Sequence, residues 1–303
     1  MTGAQIASMA RTRSSVLPRP STGSRVADFA FRGLMFLSVG VGFAGLAAIL
    51  YDVARDGIPL LSWDFFTRFP SRIVPERSGI QSAIVGTLYL MLICAALVVP
   101  LGVATAIYLE EYADRKRWFN RLIEVNIQNL AAVPSVVYGI LGLAFIVRGP
   151  LSMGRVLLAG GITLSLLVLP VVIIVAREAI RAVPPSIREG SLALGATQWQ
   201  TIFKQVLPGA IAGIATGVIL ALSRAIGETA PLLIIGAAVS PRFNPSGLFE
   251  SFTALPIQIF AWTTDANQEF VAAAAGAILV LMLILVLMNS VAIFLRNRYE
   301  QKW

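Results

Sequence analysis

The chain has 303 residues, of which 57% are apolar, 13% are charged and none is histidine, with a formal charge of +8. Charged residues make up about a quarter of an ordinary soluble domain, so this composition excludes one and indicates a membrane protein. Without histidine there is no imidazole base or ligand, and the single cysteine, Cys94, lies in an apolar block with no partner for an intrachain disulfide.

A helix rises 1.5 Å per residue, so about 20 apolar residues cross a hydrocarbon core of about 30 Å with every backbone group bonded internally. Residues 1–32 are rich in Arg, Ser, Thr and Pro and lack the apolar stretch of a cleaved signal peptide; they are expected to form a mobile tail on the inner side. Six apolar blocks follow, at 33–51, 83–109, 125–147, 156–176, 209–239 and 271–295. They predict an all-α integral membrane protein of six transmembrane helices. The third block carries a polar line of Asn126, Gln128, Asn129, Ser135 and Tyr138, with Pro134 placed to bend it. Ser135 and Tyr138 are three apart and can share a face, where they either bond neighbouring helices or line a wet path.

Between the fourth and fifth blocks, residues 177–208 are longer than a turn requires. Ser186 and Glu189 have the spacing of a capping box, Gly195 supplies a left-handed stop, and Thr197 and Gln200 form a second box. The pattern predicts a helix–glycine–helix elbow with Trp199 and Phe203 on an apolar side. It fits either docking into a partner's groove or lying on lipid with Trp199 at headgroup level.

The fifth block alone contains charges, Arg224 and Glu228, one helical turn apart. Its 31 residues exceed one untilted crossing, and Pro231 predicts a kink between Gly227 and itself. A lone charge at mid-membrane costs about 2.5–3.5 kcal/mol on insertion scales, so both groups must face protein or water. The pair is either a self-neutralising link between helices or a site where the planar guanidinium holds an anion by two parallel bonds. The last outer loop holds a short apolar run, 254–262, too short to span, and residues 296–303 form a charged tail.

Lys and Arg collect on cytoplasmic loops. With the N-terminus inside, sixteen fall in inner segments (among them Arg11, Arg115, Lys116, Arg117, Arg177, Arg188, Lys204 and Arg296) and seven in outer ones, so both termini are expected in the cytoplasm. Spread over four segments beside lipid, these charges fix topology and meet headgroups rather than form a nucleic-acid patch.

Glu189-Gly190-Ser191, then Gly195, then Leu207-Pro208 resembles the EAA signature of ABC-importer permeases, with Gly190 and Ser191 where the consensus has alanine and Gln205 at its isoleucine position. Residues 223–231 (Ser-Arg-Ala-Ile-Gly-Glu-Thr-Ala-Pro) and 132–139 (Ala-Val-Pro-Ser-Val-Val-Tyr-Gly) resemble segments shared by the permease subunits of the bacterial phosphate importer. Residues 253–260 and the charged tail resemble its A-type subunit. The resemblance implies the type I, MetI-like permease fold, with the elbow as the coupling helix that enters the ATPase, where Glu189, Gly195, Trp199 and Phe203 matter. It implies a phosphate pathway that uses Arg224 and Glu228, with Arg177 as a second functional arginine and Ser135 and Tyr138 as further pathway residues. From position alone Arg177 also reads as a topology residue whose head reaches the headgroups.

No lysine follows glycine as a phosphate-binding loop requires: Lys116, Lys204 and Lys302 follow Arg115, Phe203 and Gln301. The chain is therefore expected to bind no cofactor and to perform no catalysis, ATP and Mg being used by a partner. The expected partners are the C-type permease, two ATP-binding subunits, an extracytoplasmic phosphate-binding protein and bacterial inner-membrane lipid, with no nucleic acid. The alternatives are a permease for sulfate, molybdate or a phosphonate, or an anion carrier or channel that needs no ATPase.

Overall fold

The computed structural model describes residues 22–71, 73–114 and 116–299. Much of the expected inner tail, 1–21, and the end of the C-terminal tail, 300–303, lie outside them. Residues up to Asp52 form one compact unit and Val53 onward a second.

Helix α1 (Thr22–Gly57) supplies the first unit. Its described part begins within the segment expected to be a mobile tail. Its large side chains, such as Phe29, Phe36 and Phe43, are exposed. A helix this long and apolar on all sides suits lipid rather than water.

In the second unit, α2 (Trp63–Thr67) is capped by Ser62, whose hydroxyl accepts the Phe65 amide. Helix α3 (Gln81–Ile107) ends in a π-helical turn, Tyr108–Tyr112. Helix α4 (Trp118–Ala131) is followed after Pro134 by α5 (Ser135–Leu141), itself extended by a π-helical stretch, Gly142–Val147. The axes of these two segments differ by 104°. The third block is thus not one straight span; it counts as a sixth crossing only if the bent pair is taken together. Pro134 cannot donate to the Leu130 carbonyl, and α4 exposes Asn126, Gln128 and Asn129 while burying Ile127, so nothing holds the two halves collinear.

Helix α6 (Leu157–Arg181) is the most enclosed of the long helices. Its first amides are satisfied from another segment: Leu157 and Leu158 donate to the carbonyls of Glu250 and Leu248 at 2.8 and 2.9 Å. The elbow follows as α7 (Pro185–Ala193) and α8 (Gln198–Thr201), and a π-helical turn, Ile202–Val206, leads into α9 (Leu207–Ile226). The fifth block divides at Gly227–Thr229 into α9 and α10 (Ala230–Ile235), so the kink expected there is a complete break. Helix α11 (Leu255–Thr263) is the short apolar run of the last loop, and α12 (Glu269–Tyr299) closes the chain.

Helices α3, α6 and α9 pack mutually around a core that includes Leu90, Cys94, Leu164, Val172, Ile214 and Val218. Helix α12 covers α9, and α11 is buried against α12, where Trp262 stacks on Phe270 at 6.5 Å. The run at 254–262 is therefore a packing element. Two glycines permit close approach between distant segments: a Cβ on Gly86 would lie 2.1 Å from the Thr253 carbonyl oxygen, and one on Gly139 would lie 2.7 Å from the Pro231 Cα.

Candidate functional site

The breaks in the third and fifth blocks meet. Helix α5, just past Pro134, packs on α10, just past Gly227, with Gly139 against Pro231. Beside this crossing a cavity of about 20 Å³ is lined by Ser135, Tyr138, Leu167, Val168, Ala221 and Arg224, among others. That volume holds about one water.

Arg224 and Glu228 stand as their spacing requires, with Arg224 Nε 3.8 Å from Glu228 Oε1. That is ion-pair range but beyond a hydrogen bond, so the carboxylate orients the guanidinium without occupying its donors. The Arg224 side chain is 66% exposed. Tyr138 is placed differently: it is buried, and its hydroxyl donates to the Leu130 carbonyl at 2.9 Å. This is the carbonyl that Pro134 leaves without its usual donor; Val133 N supplies a second bond at 3.1 Å. Tyr138 braces the bend, whereas Ser135 is partly exposed at the cavity wall.

Arg177 does not line this cavity. Its side chain is 8% exposed, with Nη2 2.7 Å from Glu124 Oε1 on α4 and 3.5 Å from Glu110 Oε2 in the π-helical turn after α3. Glu110 also pairs with Arg181 at 3.1 Å. The reading of Arg177 as a residue reaching for headgroups is corrected, because a buried guanidinium is held by carboxylates within the protein. Composition pointed away from this cluster: Glu110 and Glu124 sit just outside the second and third apolar blocks, where acids pass for ordinary flanking charges. Two acids and an arginine at the same depth on three different helices were the available signal.

In the elbow, the first expected capping box is absent. Helix α7 starts two residues earlier, at Pro185 after Pro184, with no side-chain cap. Proline at the first helical position has a fixed φ, and it holds Pro184 extended, which sets the start without Ser186. The second box is present: Thr197 Oγ1 accepts from Gln200 N at 3.3 Å, and Thr197 N donates to Gln200 Oε1 at 2.9 Å. Gly195, at φ +85°, ends α7, with Gly195 N bonded to Leu192 O and Ala196 N to Ser191 O, the paired bonds of a Schellman stop. Trp199 and Phe203 stack with centroids 3.8 Å apart and are both exposed. Leu194 at the tip is 91% exposed, and Glu189 is exposed on α7.

An all-helical membrane body with a rigid, apolar-tipped elbow between two long helices is the arrangement of a transport component, and the chain belongs to the family of binding-protein-dependent transport system inner membrane components, which it matches over residues 98–301. Its fold is the MetI-like permease fold of ABC importers. The chain is similar to the phosphate transport system permease protein PstA 1 of Mycobacterium tuberculosis (strain CDC 1551 / Oshkosh), at 31% identity over 93% of this chain and 92% of that protein. It is likewise similar to the phosphate transport system permease protein PstA of Haemophilus influenzae, at 32% identity over 88% and 93%. A third relative, at 30% identity over 85% and 91%, is the probable ABC transporter permease protein YqgI of Bacillus subtilis. Among solved structures, a chain of a bacterial alginate ABC transporter superposes with a TM-score of 0.63 over 90% of this chain and 97% of its own, at 16% identity. A chain of the inward-facing methionine transporter MetNI gives 0.57 over 74% and 95%, also at 16%.

Proposed function

We propose that the chain is the A-type permease subunit of an ATP-binding cassette importer, forming half of the transmembrane pathway for inorganic phosphate. The observation that carries this reading is the exposed guanidinium of Arg224 at the end of α9, beside Glu228 and the meeting of two broken helices. At lipid depth an exposed charge must be covered by water or a second protein half. This supports a pathway on this face, between the chain and a C-type permease partner. Arginine stays charged at cellular pH and offers a fork that fits an oxyanion. Glu228, close but not bonded, weakens the hold enough for release. The similarity to relatives named as phosphate permeases selects phosphate among the oxyanions.

The energy comes from elsewhere. The chain has no phosphate-binding loop of its own. Leu194, Trp199 and Phe203 form an exposed apolar tip of the kind that fills a pocket in a partner, and in this reading the partner is one of two ATP-binding subunits that use ATP and Mg. A phosphate-binding protein docks on the opposite side, where the loops at 52–80 and 240–270 face outward. Both termini are cytoplasmic in the bacterial inner membrane.

Arg224→Gln in vesicles tests the site. Phosphate uptake is expected to fall to background while the ATP-binding subunit still co-purifies; uptake at the normal rate would refute the contact. Competition by sulfate, molybdate and phosphonate in the same vesicles is expected to be weak.

A further inference from the structure

Two neighbouring carboxylates in the π-helical turn after α3 take separate arginine partners. Glu111 faces the elbow: its Oε1 accepts Arg188 Nη2 at 2.7 Å and Nε at 3.0 Å, and its backbone carbonyl accepts Gln198 Nε2 at 2.6 Å. Arg188 also donates to two carbonyls at the end of α6, Val183 O at 2.6 Å and Ile180 O at 2.8 Å. One guanidinium thus ties together the end of α3, the end of α6 and the elbow helix α7. Ser191 and Thr201 join α7 to the segment carrying Trp199 and Phe203 by a 2.9 Å bond between their hydroxyls.

Glu110, the residue before, faces inward to Arg177 and Arg181. Arg177 in turn holds Glu124 on α4. Helix α4 runs to the bend at Pro134, and Leu130, Ala131 and Val133 at its end are part of the cavity wall beside Arg224. The two acids are 5% and 10% exposed, so each is paired where water screens little. Successive side chains on a helix point in different directions, so adjacent residues can serve separate partners.

We infer that Glu111 and Arg188 are positioning residues for transport, forming the joint through which the elbow moves α3 and, by way of Glu110, Arg177 and Glu124, the α4 wall of the pathway. The inference rests on the coupling role proposed for the elbow. Neither residue touches the solute; the pair makes the elbow and the helix ends move as one body. Without it the elbow shifts under the ATPase while the wall stays in place.

The test uses the complete transporter in vesicles, with Cys94→Ser and a reporter, Val133→Cys, labelled by a maleimide with and without ATP and vanadate. With the joint intact, nucleotide is expected to change the labelling rate. In Glu111→Ala the nucleotide effect should shrink about tenfold, and the Glu111→Ala/Arg188→Ala double variant should be no worse than Arg188→Ala alone. The ATP-binding subunit should co-purify with every variant. An intact nucleotide effect in Glu111→Ala, multiplying defects in the double variant, or no nucleotide effect with the joint intact would each overturn the inference. If Arg188→Ala does not assemble, Glu111→Ala decides alone, because the Gln198 bond is to the backbone and survives it. Labelled phosphate uptake in the same vesicles is a separate measurement: nucleotide-dependent labelling without phosphate movement would overturn the substrate and support the joint.

Discussion

Tyr138 and Arg177 show how a polar residue among apolar neighbours takes its role from the nearest unmet bond. The Tyr138 hydroxyl goes to the carbonyl that Pro134 leaves open. Tyr138→Phe should therefore lower stability by about 1 kcal/mol, since Val133 N keeps that carbonyl bonded, and should leave phosphate KM near normal. Thermal unfolding in detergent and uptake kinetics check the two halves of this expectation. Arg177→Gln should behave differently, because it strips a buried carboxylate cluster of one of its cations. Losing one partner of a buried pair costs about 3–5 kcal/mol, so the variant should show poor assembly before any transport defect can be read. Well-assembled Arg177→Gln protein without uptake would instead give Arg177 a role in transport rather than in assembly.

Among elements, close approach and turn geometry decide what each segment tolerates. Gly195→Ala places a Cβ at φ +85°, which costs about 1–2 kcal/mol and should loosen the elbow tip. The expected readout is weaker co-purification of the ATP-binding subunit with the transmembrane helices intact. Gly139→Ala drives a Cβ against the Pro231 backbone, and overpacking of this kind costs about 1–3 kcal/mol. Because α5 and α10 meet there, the variant should widen the space beside Arg224, measurable as faster labelling of Val133→Cys.

For the whole molecule, charge sets orientation and one uncovered face sets assembly. With cytoplasmic termini, Arg117→Cys in a Cys94→Ser background should react with an impermeant maleimide only from the cytoplasmic side, and Arg242→Cys only from outside. The reverse result would invert the topology and put the elbow out of reach of ATP. If a partner permease covers the exposed arginine on α9, as proposed, the isolated chain should aggregate or pair in lipid, which cross-linking would show.

Local patterns are enough for the membrane class, the elbow with its left-handed stop at Gly195, the Arg224–Glu228 pair and a kink before Pro231. These follow from runs of apolar residues, fixed backbone preferences and i,i+4 spacing, all local in the chain. Helix docking, by contrast, sets the 104° turn of the third block, the packing of its bend on the second break, and the burial of Arg177 beside Glu110 and Glu124. Those outcomes join residues far apart in the chain, such as Gly139 and Pro231, and which distant groups meet depends on how helices dock. No local pattern encodes that, because a carboxylate flanking a span has the same sequence signature whether it faces headgroups or a guanidinium.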